Sequence, residues 1–181
     1  MSEATKTTYI LQMTSRDEFK PKSVDVPGLR VERMEELSPE FSKYLHMRVG
    51  HPHKWGGRSE WTQREWSDFV NHPAVQTWVG FFGATPVGYY ELQKEQNGAV
   101  AIVCFGLIPE FVGRGLGGLF LNRAIECAWD MDATRIWLGT CSHDHPHALE
   151  NYKARGFTVT ATREGPANQP WPSFWEAIAS R

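Results

Sequence analysis

The 181-residue sequence has no long hydrophobic run and only three cysteines. Its longest uncharged apolar segment, residues 100–105, is far too short to span a bilayer, so no membrane span is expected. The cysteines Cys104, Cys127 and Cys141 lie in apolar or strand-like contexts, which favours reduced buried thiols over a disulfide framework. The N-terminus also lacks the apolar core of a signal peptide. Together these features favour a cytoplasmic protein.

The sequence has little net charge as well. Its formal net charge is −2, and its lysines and arginines form no cluster along the chain. Because proteins that bind nucleic acid need a basic patch, no nucleic-acid partner is expected. The length and the ordinary composition, 41% hydrophobic and 22% charged, predict one globular domain with a single sizeable core.

The most informative stretch runs from residue 99 to residue 130. The apolar run predicts a buried strand, Gly106 indicates a bulge or a close approach by another segment, and Pro109 ends the pairing. A cluster of glycines follows, and the apolar residues between Leu116 and Trp129 then recur at helical spacing. A glycine loop at the start of a helix presents unpaired N–H groups at the positive end of the helix dipole. This arrangement suits a pyrophosphate, whereas the alternative is a merely flexible turn.

A dinucleotide site is the other ligand hypothesis for this loop. Gly113, Gly115 and Gly118 satisfy the pattern G-x-G-x-x-G, which is a weak signal alone. A Rossmann unit would place the first glycine directly at the strand end and an acidic residue at the end of the next strand. Here six residues separate Gly106 from Gly113, and the next predicted strand ends at Thr140. The dinucleotide hypothesis is therefore disfavoured.

Two motifs resemble the GNAT superfamily of acyltransferases. Residues 107–118 look like its motif A, and residues 148–157 are similar to its A-x-x-x-Y-x-x-x-G-F signature. One departure is Val112, where the family pattern R/Q-x-x-G-x-G/A usually has Arg or Gln; Arg114 is an alternative source of positive charge. The resemblance implies acetyl-CoA as cosubstrate. The residues it implies for binding the coenzyme are Leu107, Ile108, Val112, Gly113, Arg114, Gly115, Leu116, Gly117, Gly118 and Asn151.

The rest of the pattern predicts an α/β domain of the α+β type, GNAT-like, with a mixed, mostly antiparallel sheet and helices on both faces. Strands are predicted at 29–34, 75–82, 86–93, 100–105, 135–140 and 157–162, and helices at 38–49, 62–71 and in the two motifs. The domain is placed at 29–162. It is preceded by an arm, 1–28, and followed by a Pro-rich tail, 163–181, with a short turn at 175–177. The tail suits the family's last hairpin strand poorly, so the arm is expected to supply an edge strand near Ile10.

Acetyl transfer to an amine needs a neutral nucleophile, N–H groups for the oxyanion and a proton for the departing thiolate. A bulge at Gly106 and Leu107 would free such N–H groups. The resemblance implies that Tyr152 is the general acid, and a phenol with a pKa of about 10 is well matched to a thiolate. The alternative is a tyrosine that serves only the core.

The general base is left open among three alternatives. These are His145 or Asp144 acting through a water, Glu91 on a predicted strand, and no base at all if enough acceptor amine is neutral. His143, His145 and His147 alternate, but alternation on a loop does not direct three rings to one point, and no fourth ligand is evident. No metal is expected.

The segment between the first two helices walls the acceptor pocket in GNAT folds. Its candidate substrate contacts are His51, Trp55, Arg58 and Trp61, whereas Trp66 is expected in the core. Arg58 has no carboxylate partner nearby in sequence, so we expect it to bind an anionic group of the substrate; the alternative is a solvated surface residue.

The predicted function is an acetyl-CoA-dependent N-acetyltransferase. It would act on a primary amine of a small molecule or amino acid by direct attack in a ternary complex. The alternatives are a protein N-terminal or lysine acetyltransferase and a non-catalytic sensor that binds coenzyme A. A homodimer is left open.

Overall fold

The computed structural model describes residues 5–23 and 25–166. Within them lie seven strands: β1 Thr5–Met13, β2 Leu29–Met34, β3 Val75–Phe82, β4 Thr85–Lys94, β5 Ala99–Leu107, β6 Arg135–Cys141 and β7 Thr158–Pro166. The helices are α1 Pro39–Gly50, α2 Gln63–Val70, α3 Leu116–Trp129 and α4 Ala148–Ala154. Among these residues we find no helix with the length and apolar character that crossing a bilayer requires.

The strands form one sheet in the order β2-β3-β4-β5-β6-β1-β7. All neighbours are antiparallel except β5 and β6, which are parallel and connected through α3. Successive side chains of a strand point to opposite faces. Accordingly, Tyr90 packs in the core under α3, and the preceding Tyr89 packs in a second core under α1. The predicted mixed sheet with helices on both faces is confirmed.

The N-terminal strand is not at the edge of the sheet, where the sequence placed it. β1 lies between β6 and β7, and Ile10 is paired with Gly139 on one side and Ala161 on the other. The edge strand on this side of the sheet is β7, which continues to Pro166, past the strand end predicted at residue 162. Hydrophobic alternation reports which face of a strand is buried but not how many neighbours it has. The turn expected at 175–177 lies outside the described residues.

The helix starts follow the local sequence signals. The hydroxyl of Ser38 accepts a hydrogen bond from the N–H of Phe41 at 3.1 Å, ahead of Pro39 in the first turn of α1. Thr62 and Glu65 form the predicted capping box at the start of α2. Each cap of this type contributes about 1 kcal/mol, so both helix starts are fixed by neighbours in sequence.

Candidate active site

The two parallel strands separate in the middle of the sheet. β5 and β6 pair only through residues 99–102 and 135–138, although β5 continues to Leu107 and β6 to Cys141. The second half of β5 remains paired with β4 on its other side. Its N–H and C=O groups that face β6 are therefore available to an extended ligand.

A bulge marks the point of separation, but not at the expected residues. Gly106 and Leu107 pair regularly with β4, and the extra residue is Val103, opposite the step that follows Glu91. A bulge bends its strand, and this one immediately follows the last residue pair with β6. Gly106 instead allows a close approach, because a Cβ there would overlap a methyl group of Val49 on α1.

The glycine loop connects the open end of β5 to α3. Gly113 and Gly115 have φ of +81° and +77°, values that glycine adopts without strain, and Gly115 is the N-cap of α3. A Cβ on either residue would meet no atom within 4 Å, and a Cβ on Gly117 would meet only the Asn151 side chain, at 3.9 Å. No side chain among the described residues caps this helix. The loop thus borders open space, and the unpaired N–H groups at the start of α3 lie next to that space. This arrangement fits a phosphate ligand.

α4 places Tyr152 and Asn151 beside this loop and β5. Tyr152 is 7% exposed, and its ring lies 6.1 Å from that of Phe105 on β5. Burial, followed by the charge of Asp144, raises the pKa of Tyr152 well above its ordinary value, so the phenol stays protonated. The Gly156 of the signature is required by packing, since it has φ of +105° and a Cβ there would overlap a main-chain carbonyl.

The loop between β6 and α4 is held by Asp144. Its carboxylate accepts hydrogen bonds from the Thr140 hydroxyl at 2.7 Å, the Cys141 N–H at 2.9 Å and the Trp55 indole N–H at 3.0 Å. The bond from Trp55 ties the α1–α2 connection to this loop. Asp144 is therefore a structural anchor, whose carboxylate is already engaged by three donors of the protein itself.

His145 lies on the exposed side of the same loop. Its Nδ1 accepts a hydrogen bond from the N–H of His147 at 3.2 Å, and its ring centroid lies 6.4 Å from that of His53. Burial, followed by the charges of His147 and His53, lowers the pKa of His145 below its ordinary value. With Nδ1 accepting, Nε2 carries the proton of the neutral ring, so Nδ1 is the nitrogen that can take up a second proton. In the described part of the chain, no group of three or more His, Cys, Asp or Glu residues could hold a metal ion.

The sequence suggested that the guanidinium of Arg58 is free to bind a substrate. In the structure Arg58 is paired within the protein. Its side chain is buried, and its Nη1 donates to the Glu91 carboxylate at 2.6 Å. Burial alone would lower the pKa of Arg58, but the Glu91 charge raises it above its usual value. The guanidinium also lies 4.1 Å from the ring centroid of Phe69 and 4.9 Å from that of Trp61. The expectation that Arg58 lacks a partner is wrong, because its partner comes from β4, 33 residues away.

The same ion pair argues against Glu91 as the general base. Glu91 has no exposed surface, and its second oxygen accepts from the Ser42 hydroxyl at 3.5 Å. Its carboxylate is thus enclosed and already engaged by Arg58 and Ser42, out of reach of an acceptor amine.

The other residues predicted to contact the acceptor substrate are more exposed to solvent than Arg58. His51 is exposed, whereas Trp55 and Trp61 are half-buried. Trp66 is 1% exposed and packs against Trp61, with ring centroids 5.1 Å apart, so it is in the core as expected.

A buried histidine beside this ion pair was not singled out from the sequence. His46 is 4% exposed, and its Nδ1 lies 3.1 Å from the Tyr89 hydroxyl and 3.8 Å from the Cys104 sulfur. Its Nε2 has no hydrogen-bond partner among the described residues. Burial, followed by the charge of Arg58, lowers the pKa of His46 to about 3, so the ring is neutral. A lone histidine on a helix gives no sequence signal for such a cluster.

Comparison with known proteins agrees with this geometry. The model of the acetyltransferase (GNAT) family matches residues 33–157, and the chain belongs to that family. Among curated protein sequences, no significant match to this chain is found.

Several solved structures share the fold. A GCN5-related N-acetyltransferase from Sphaerobacter thermophilus superposes with a TM-score of 0.66 at 15% identity, covering 92% of this chain and 53% of that one. A Bacillus subtilis acetyltransferase in complex with CoA superposes with a TM-score of 0.57 at 24% identity, covering 74% of this chain and 78% of that one. An aminoglycoside acetyltransferase from an uncultured soil metagenomic sample superposes with a TM-score of 0.58 at 13% identity, covering 71% of this chain and 87% of that one. The chain spans about half to two thirds of the length of the first five similar structures.

Proposed function

We propose that this protein is an acetyl-CoA-dependent N-acetyltransferase that acetylates a primary amine of a small molecule or amino acid by direct attack in a ternary complex. The observation that carries the proposal is the continuity of three features. The unpaired side of β5 leads into the open glycine loop, and Tyr152 packs beside the same half of β5.

The coenzyme would lie along this path. Leu107 and Ile108 would line its pantetheine arm, and the N–H groups of residues 113–118 would bind the pyrophosphate at the positive end of α3. Asn151 would contact the same region, since its side chain adjoins Gly117. When bound, acetyl-CoA supplies the activated acyl group. Unpaired N–H groups of β5 next to the bulge would donate to the carbonyl oxygen of the acyl group, where negative charge would develop when the amine attacks the acyl carbon.

Tyr152 is proposed as the general acid. Its raised pKa keeps the phenol protonated before the reaction, so a proton is in place for the departing thiolate sulfur. The flanking rings of Phe105 and Phe157, at 6.1 Å and 6.2 Å, limit the access of water that would otherwise compete as proton donor.

The acceptor amine would approach from the side of the α1–α2 connection. Trp55, fixed by Asp144, would form one wall, with His51 and Trp61 further along the same connection. His145 is proposed to take the ammonium proton through a water, because it is a neutral imidazole on the loop that Trp55 contacts. One structural neighbour is an aminoglycoside acetyltransferase, which supports a small amine as acceptor.

A thiol-release assay with acetyl-CoA and a panel of amines tests the proposal. The panel should hold aminoglycosides, amino acids, short peptides and each amino acid's decarboxylated amine. Acetylation of a small amine, with the product mass raised by one acetyl group, is the expected result. Turnover with peptides alone would favour a protein acetyltransferase, and coenzyme binding with no turnover on any acceptor would favour a sensor.

A further inference from the structure

The guanidinium group of Arg155 is partly buried and has no anionic partner among the residues that the structure describes. Arg155 follows α4, and its Nε and Nη1 atoms are shielded from water. Within residues 5–23 and 25–166 neither nitrogen has a hydrogen-bond acceptor. Burial lowers the pKa of Arg155 below its ordinary value, and no opposing charge offsets this effect. A shielded cationic donor without an acceptor is costly and rarely kept without a reason.

The position of this guanidinium supplies the reason. Its Nη1 lies 3.7 Å from the point that a Cβ on Gly118 would occupy, in the first turn of α3. The Asn151 Oδ1 lies 3.6 Å from the same point. The first turn of α3 has no acidic residue and no side-chain cap. Arg155 thus adds a full positive charge next to the positive end of a 14-residue helix.

A second cation from a distant segment reaches the same place. The Cδ of Lys22 lies 2.7 Å from the Cβ point of Gly118, and its ammonium group is two bonds further along. Two hydrogen bonds hold the Lys22 backbone against α3: its N–H donates to the Asn122 Oδ1 at 3.1 Å, and the Asn122 Nδ2 donates to its carbonyl at 2.9 Å. Like charges placed together without an anion repel each other, so this arrangement favours an anionic ligand.

We infer that Arg155, with Lys22 beside it, binds a phosphate group of coenzyme A at the start of α3. This inference rests on the proposed function and assigns it a residue outside the glycine loop. It also accounts for Val112, which is apolar and 38% exposed at the loop position where the family pattern has Arg or Gln. The side-chain charge that is missing at position 112 comes from the end of α4. A guanidinium suits this role because its planar array of donors matches phosphate oxygens.

Isothermal titration calorimetry of the full chain with coenzyme A and with 3′-dephospho-coenzyme A tests the inference. Arg155→Gln is expected to weaken coenzyme A binding about 10- to 100-fold, the range for a charged hydrogen bond. Lys153→Gln is the matched control, because it removes one positive charge two residues away, in the last turn of α4, where Lys153 pairs with Glu150. Arg155→Lys, which keeps the charge and loses the planar array, should fall between Arg155→Gln and the wild type.

The two ligands separate the two kinds of phosphate. If Arg155→Gln loses affinity equally for both ligands, Arg155 binds the pyrophosphate. If it loses affinity for coenzyme A alone, Arg155 binds the 3′-phosphate. The ligand-free melting temperature should not fall in Arg155→Gln, since the lost donors had no partner, whereas the stabilisation by coenzyme A should shrink. An affinity loss in Arg155→Gln no greater than in Lys153→Gln would overturn the inference. If the wild type itself binds no coenzyme A, the proposed function fails, and the inference fails with it.

Discussion

The Arg58 guanidinium and the Glu91 carboxylate form an ion pair, 2.6 Å between Nη1 and Oε2, in which neither side chain is more than 9% exposed. It joins the α1–α2 connection to β4, and aromatic rings of that connection and of α2 surround the guanidinium. The pair therefore fixes the α1–α2 connection, which we propose as a wall of the acceptor side, and the guanidinium of Arg58 is already neutralised by Glu91.

Removing one partner of this pair should be strongly destabilising. Arg58→Met leaves the Glu91 carboxylate buried without its counter-ion, and the expected loss is about 3–5 kcal/mol in the free energy of unfolding. Urea denaturation measures it. The double variant Arg58→Met, Glu91→Leu should recover most of the loss, because no charge then stays buried.

The control for this prediction is Arg64→Met. Arg64 pairs with Asp68 at 3.6 Å on the surface of α2, with side chains 90% and 66% exposed, so the expected loss is below about 0.5 kcal/mol. Equal losses for the two single variants would show that the buried pair has no special role.

Tyr152→Phe should reduce turnover while leaving the coenzyme affinity unchanged. If the phenol is the general acid, kcat should fall by roughly 10²-fold or more. Tyr90→Phe removes the hydroxyl of another buried tyrosine in the same core and should have turnover near that of the wild type. Steady-state kinetics with calorimetry on both variants decides the matter, and wild-type turnover in Tyr152→Phe would assign this residue to the core alone.

Gly117→Asp should abolish coenzyme A binding and keep the fold. The substitution places bulk and a negative charge in the open loop, where the phosphates are proposed to bind. Gly56→Asp is the control, since Gly56 is exposed and a Cβ there meets no atom within 4 Å. Calorimetry measures the affinity, and circular dichroism checks the fold. A nearly unchanged affinity of Gly117→Asp for coenzyme A would show that its phosphates do not bind at this loop.

The buried His46 should make the protein less stable in mild acid. Its pKa is about 3 in the folded chain and about 6.5 when unfolded, so only the unfolded chain takes up this proton between these values. The free energy of unfolding should therefore fall with decreasing pH below about 6.5, at up to about 1.4 kcal/mol per pH unit, and this contribution should level off below about pH 3.

Urea denaturation at a series of pH values between 4 and 7 measures this slope. His46→Gln removes the imidazole. The slope of the unfolding free energy against pH should then be smaller than in the wild type by up to about 1.4 kcal/mol per pH unit, which corresponds to one proton. His51→Gln, at an exposed position, should keep the wild-type slope. Identical slopes in the wild type and His46→Gln would contradict the prediction.

Features set by neighbours in sequence could be predicted, and those set by distant partners could not. The caps at Ser38 and Thr62 and the glycine loop depend on residues within one or two turns, and each forms as its local sequence indicates. The ion pair between Arg58 and Glu91 joins residues of two different elements, and no periodicity reports that. The bulge at Val103 likewise has no glycine to mark it.

The place of β1 has a consequence for how the chain folds as it is made. β1 is synthesised first, yet its neighbours β6 and β7 begin at residues 135 and 158. Thr8, for example, is paired with Cys141 and Arg163. β1 must wait until these later strands have left the ribosome before it finds either partner. Such long sequence separations slow folding, so we expect the sheet to close last around its own first strand.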